Sequence, residues 1–245
     1  MIELADVALL AAIAFLGALI FGLTGFGAAL VTIPLASHVV PLQFALALFA
    51  LADLVSALRV GLESPKTAVR GEWTRLVPMI LVGTALGVTA LVNLPRKYGM
   101  LLLGVFVLSF AVYSLLRRAS TRVISARWAW LAGLAGGITS TLFGAGGPPY
   151  AIYLSQRGLT KEQFRATLAF ATLTSISVRV LAFLLTGLLL DLRIWIAAAA
   201  AVPAAFAGIA VARRMFLRIS REVLLRAIMV MLLFSGASLV FRALA

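Results

Sequence analysis

Phe143-Gly144-Ala145-Gly146-Gly147-Pro148-Pro149 cuts through an apolar run that extends from Trp128 to Leu154. About 20 apolar residues suffice to cross a bilayer as a helix, so the run reads as a membrane segment. Glycine weakens a helix and proline removes a backbone donor. The cluster therefore predicts a break inside the run, not at its end. An earlier run, Ala5 to Val40, carries a second cluster, Gly22-Leu23-Thr24-Gly25-Phe26-Gly27. Two broken runs in matching places invite a test for duplication.

A shift of 120 residues places Gly17 on Gly137, Gly27 on Gly147, Gln43-Phe44 on Gln163-Phe164, Leu48 on Leu168 and Arg59-Val60 on Arg179-Val180. Pro78 and Gly83 fall on Pro203 and Gly208 at a shift of 125. The identities are few but ordered. Residues 1–120 and 121–245 are thus expected to be two related repeats that together form one transmembrane domain.

Composition agrees with a bilayer environment. Of the 245 residues, 63% are hydrophobic and 12% charged, and the mean hydropathy is +1.13. Soluble domains carry about twice that share of charge. The start, Met1-Ile2-Glu3-Leu4-Ala5-Asp6, has acids where a signal peptide has bases, so it is expected to belong to the fold. The absence of cysteine excludes disulfides and thiolate metal sites. His38 is the only histidine, which excludes a multi-histidine metal centre. No cofactor is expected. The net charge of +13 sits in short loops between apolar runs, the habit of membrane proteins, so no nucleic-acid partner is expected.

The basic residues also choose a topology. If each broken run crosses the membrane once, the loop Lys and Arg residues divide evenly between the two sides. If each folds back as a hairpin, they divide fourteen to four. Lys66, Arg70, Arg75, the arginines of 117–127, Arg157, Lys161, Arg165 and those of 213–221 then share one side. Positive residues concentrate in the cytoplasm, so the hairpin arrangement is preferred, with both termini outside the cytoplasm. Each half becomes a glycine-broken helical hairpin followed by three transmembrane helices. The odd number of crossings makes the halves inverted-topology repeats. The expected fold class is therefore an all-α integral membrane protein, since open strands cannot sit in lipid.

The two broken segments, with Pro34 after the first, resemble the signature regions of the sulfite exporter TauE/SafE family, also called the toluenesulfonate uptake permease family. The resemblance runs over essentially the whole chain. It implies transport of sulfite, sulfoacetate or other organosulfonates across a prokaryotic inner membrane. It does not choose between import and export, nor between proton and sodium coupling, and it leaves a homodimer open.

The residues themselves suit an anion. A helix that restarts inside the membrane offers unpaired N–H groups and a positive dipole end, and proline fits its first turn. Ala28 and Pro149 are expected to begin such half-helices. The candidate substrate-binding set is Thr24, Gly25, Phe26, Gly27 and Ala28 from the first break, and Ser140, Gly144, Gly146, Gly147, Pro148 and Pro149 from the second. Tight helix packing is the other reading of the glycines. Arg59 and Arg179 occupy equivalent repeat positions, and an arginine grips an oxyanion through two parallel bonds. Charged residues at membrane depth are costly and mark function; Arg59 has snorkelling to the interface as its alternative. Asp53 is either a proton-coupling carboxylate or the partner of an arginine. Thr139 and Thr141 either donate to substrate or bond their own helix. Gln43 and Gln163 cap helices or line a vestibule, His38 belongs to a loop, and Trp73, Trp128, Trp130 and Trp195 are expected as interfacial anchors. No nucleophile–base set suggests an enzyme. A passive anion channel shares these features and stays open.

Overall fold

The computed structural model describes residues 4–24, 28–61, 65–116, 123–215, 230, 232–234, 236–241 and 244. All regular structure among them is helical. In chain order the helices are α1 (Leu4–Thr24), α2 (Ala28–Ala36), α3 (Leu42–Gly61), α4 (Arg70–Asn93), α5 (Arg96–Leu116), α6 (Trp128–Phe143), α7 (Gly147–Leu154), α8 (Lys161–Leu185) and α9 (Leu192–Met215), with a short 3₁₀ turn at Pro65–Thr67. A last apolar helix runs over Leu232–Phe241. Six helices, α1, α3, α4, α5, α8 and α9, are long and apolar enough to cross a membrane.

The ends of these helices follow from local chemistry. Thr160 and Gln163 form a reciprocal capping box at the start of α8. Gly144 ends α6 in the left-handed conformation, φ 72°. Gly147 opens α7, with proline in its first turn. α7 thus starts two residues earlier than the expected Pro149, while α2 starts at the expected Ala28. Gly25, Phe26 and Gly27 lie outside the described residues.

The first broken run differs in length from a simple re-entrant hairpin. At 1.5 Å per residue α1 is about 31 Å long, and Ala5–Leu23 is by itself long enough to cross. By the same measure α6, with 16 residues, reaches about 24 Å.

Helices α3 and α8 pack together at the centre. Within the hydrophobic windows, 67% of α3 is buried but only 28% of α5. The most extensive remaining contacts come in corresponding pairs. α1 packs on α9 as α6 packs on α4, and α3 meets α9 as α8 meets α4. α2 touches α1 and α3, and α7 touches α6 and α8. Small residues allow these close crossings. A Cβ added to Gly137 would lie 2.6 Å from the carbonyl oxygen of Ile80 and 2.9 Å from the amide nitrogen of Thr84, both on α4. One added to Gly208 would collide with the carbonyl oxygen of Phe15 on α1. The outward faces keep their apolar side chains exposed, among them Leu86, Val105, Trp130, Leu185 and Ile196. A soluble surface does not tolerate so broad an apolar face, but acyl chains solvate it.

Candidate functional site

Helix α6 stops where Gly144 turns the chain, and α7 returns along it. Gly136 has no side chain, so the ring of Tyr150 lies directly against α6; a Cβ there would overlap the ring. The return places Gly146 beside Ser140 and Ser175. A cleft forms here, lined by Ser140, Gly144, Gly146 and Gly147 of the second break, by Ala28 and Ala29 at the start of α2, by Asp53 of α3, and by Tyr150, Thr172 and Ser175. Its free volume is about 20 Å³, room for roughly one water molecule. Thr141, near the end of α6, packs on Gly87, beyond the middle of α4. The break therefore sits past the centre of that helix rather than level with it.

Arg179 of α8 lies behind the cleft wall, bonded to two of the lining residues. Among the described residues it is the largest fully buried side chain, with 1% of its surface exposed. Nη2 donates to Asp53 Oδ2 at 3.0 Å, and Nη1 donates to the carbonyl oxygen of Ser140 at 2.8 Å. Nε has no partner among the described residues. The hydroxyl of Thr172 lines the same cleft and is likewise without one. Tyr150 and Ser175 pair through their hydroxyls at 3.0 Å. An unpaired buried donor is costly. The cleft is thus lined by a hydroxyl with unused capacity and the start of α7, with a buried guanidinium directly behind its wall. Each of these favours negative charge.

The fold brings together Ala28, Asp53, Ser140, Gly144, Gly146, Gly147 and Arg179. Pro148 is buried and Pro149 half-buried, both in the first turn of α7 but outside the cleft lining. Thr24 ends α1. Arg59 is exposed at the last turn of α3, apart from the cleft. The glycines divide by role: Gly133 and Gly137 pack against the α4 backbone, whereas Gly144, Gly146 and Gly147 line the cleft. Thr139 and Thr141 donate back to carbonyl oxygens of their own helix, each at 2.9 Å. Gln43 donates to the carbonyl oxygen of Leu91 at 3.1 Å. It borders a separate, mostly apolar hollow with Leu94, Leu102 and Phe143. His38 lies in the turn after α2. Trp73 departs from the expected interfacial role: Nε1 donates to Thr174 of α8 at 2.9 Å, and its ring packs on Phe170. Trp128, Trp130 and Trp195 are exposed.

Sequence reading passed over Thr172, Ser175 and Tyr150. The first two share the spacing i, i+3, i+7 with Arg179, which marks one polar face of α8; that stripe was the available signal. It also passed over a second polar cluster. Glu72, at the start of α4, is 6% exposed. It accepts from Arg157 Nη2 at 2.8 Å and Nε at 3.1 Å, from Arg75 Nη1 at 3.0 Å, and from the hydroxyl of Tyr153. Arg157 also donates to the carbonyl oxygen of Ile124. The Glu72 carboxylate holds the Arg157 guanidinium above its ordinary range. This cluster ties the end of α7 and the turn after it to the start of α4. Among the described residues no group of three or more histidine or acidic side chains gathers as metal ligands.

An all-helical chain with an apolar exterior and a polar cleft at a helix break has the build of a multi-pass membrane transporter. The chain belongs to the sulfite exporter TauE/SafE family, whose model matches residues 10–239. It is accordingly a multi-pass membrane protein of a transporter family. No curated protein and no solved structure matches it.

Proposed function

We propose that this protein carries small sulfur-containing oxyanions, such as sulfite, sulfoacetate and other organosulfonates, across a prokaryotic inner membrane by alternating access. The observation that carries the proposal is Arg179, a buried guanidinium at the broken end of α6, beside the first turn of α7 and a hydroxyl-lined cleft. Desolvating a guanidinium costs several kcal/mol, and charged residues at membrane depth mark function. In this reading the anion sits between the second break and the start of α2. Gly144, Gly146 and Gly147 let the backbone approach the oxyanion. Arg59 draws the anion toward the path from the cytoplasmic side.

The two halves are read as inverted repeats, each with a broken helix. The paired contacts support this: exchanging the halves turns α1–α9 into α6–α4 and α3–α9 into α8–α4. Loop charge supports a reading with both termini outside the cytoplasm. The cleft is too small for an oxyanion of sulfur, so access requires the two hairpins to part from the central α3–α8 pair. Alternation would part them on one side at a time.

Purified protein in liposomes, supplied with labelled sulfite or sulfoacetate, tests the proposal. A carrier accumulates label against its gradient when a driving ion gradient is imposed. Equilibration without accumulation identifies a passive anion channel, and no flux of either anion sinks both readings.

A further inference from the structure

We infer that Asp53 is a built-in stand-in for the transported anion, which the anion displaces from Arg179, and that the displaced carboxylate takes up a proton, so that one proton moves with each anion. The inference rests on the proposed anion site and concerns how that site is coupled.

Three observations carry it. Arg179 uses two of its donors, Nη2 on Asp53 at 3.0 Å and Nη1 on the Ser140 carbonyl oxygen at 2.8 Å. Nε is unused, but the side chain is 1% exposed and lies behind Asp53 and Ser140, which line the cleft. An oxyanion entering from the cleft can take a bidentate grip on it only by displacing one of these two. Asp53 is the replaceable one, because it is itself an anion on the wall of the cleft, whereas the Ser140 carbonyl belongs to the end of α6. The pair is also buried, with side-chain exposures of 1% for Arg179 and 10% for Asp53.

Charge balance supplies the proton. While Asp53 and Arg179 are paired, the cleft is neutral. A bound anion makes it negative in a medium that solvates charge poorly. Arg179 is the one charged side chain acting on Asp53 among the described residues. α1 and α2 bring only Phe21, Ala28 and Ala29 to the cleft, α6 brings Ser140, and α7 brings Tyr150, which is bonded to Ser175 of α8. No second cation faces the displaced carboxylate from these elements. A carboxylate without its counter-charge in such surroundings is stable only when protonated. Protonation of Asp53 cancels one of the negative charges, and the same proton leaves when the anion does and Asp53 pairs again with Arg179. No bond to the substrate is made or broken.

The test measures protons and anion together. Sulfoacetate stays fully ionised between about pH 6 and 8, since both its acids are far stronger, so any proton taken up belongs to the protein. Purified wild-type protein is titrated with sulfoacetate in weakly buffered detergent solution containing a pH indicator. One proton per bound anion is expected, with the apparent Kd rising about tenfold per pH unit in the linked range. Asp53→Asn should bind sulfoacetate more tightly, because the internal competitor is gone, with no proton uptake and little pH dependence. Wild-type binding without proton uptake overturns the inference and leaves the anion site standing. Proton uptake that persists in Asp53→Asn also overturns it. Should the variant fail to fold, the wild-type stoichiometry and pH slope still decide. Binding of neither sulfoacetate nor sulfite removes the anion site itself, and this inference with it.

Discussion

Arg179 donates to the carbonyl oxygen of Ser140, 2.8 Å away and 39 residues earlier in the chain. The same oxygen accepts the backbone N–H of Gly144 at 2.9 Å. A cation from α8 thus sits on the carbonyl end of α6, where the helix dipole is negative. One side chain both finishes a broken helix and backs the cleft wall with positive charge.

That double duty can be separated. Arg179→Ala leaves Asp53 buried without a partner and is expected to cost about 3–5 kcal/mol of stability. Adding Asp53→Ala should recover most of the loss, because no charge is then stranded, but should not restore transport. Thermal unfolding in detergent and flux in liposomes are the two readouts. A double variant that transports normally would reduce Arg179 to a structural role. Arg179→Lys, which cannot bridge two acceptors as a planar fork does, should lower transport about tenfold or more.

Gly144 has φ 72°, and a Cβ there would lie 2.8 Å from that of Ala29 and 3.2 Å from Nη1 of Arg179. Gly144→Ala should cost about 1–2 kcal/mol from backbone conformation alone and abolish transport by displacing the arginine. Gly71 supplies the contrast. Nothing lies within 4 Å of its added Cβ, and Gly71→Ala should be neutral or gain up to about 1 kcal/mol of helix stability. Equal losses at the two positions would rule out the steric account.

Glu72 collects four donors where α7 ends against α4. Glu72→Gln is expected to lower stability by about 2 kcal/mol through weakened charge-assisted bonds. Arg75, whose side chain is 49% exposed, contributes less, and Arg75→Ala should change stability by under about 1 kcal/mol. Melting temperatures rank the two. Sulfoacetate affinity should survive both changes, because neither residue lines the cleft.

The chain has no cysteine, so single cysteines report topology cleanly. Ser125→Cys, in the exposed turn before α6, should react with a membrane-impermeant maleimide only from the cytoplasmic side. Leu190→Cys, 76% exposed between α8 and α9, should react only from outside. Labelling of both from one side would refute the hairpin topology.

Much of the architecture is local and could be read from the chain. Apolar run length marks membrane helices because 1.5 Å per residue must cover a fixed thickness. Gly144-Ala145-Gly146-Gly147-Pro148 marks the end of one helix and the start of another, because a left-handed residue and a residue without an N–H suit those positions alone. The length of α1 was less legible. Gly17 and Gly22 look like weak points, yet the helix runs through both, because packing on α2 and α9 uses their lack of side chains. The inward turn of Trp73 was hidden for a related reason, since its partner Thr174 is 101 residues away.

Run lengths, break positions and loop charge depend on near neighbours and on the solvent, and one-dimensional order carries them. The site depends on which faces meet. Asp53 and Arg179 are 126 residues apart, and nothing in either neighbourhood states that α3 and α8 pack at the centre. The equal footing of Arg179 with Arg59 under the repeat shift is broken only in three dimensions, where Arg179 pairs with Asp53 behind the cleft wall and Arg59 ends exposed. Helical periodicity tells which residues share a face; only packing tells what that face touches.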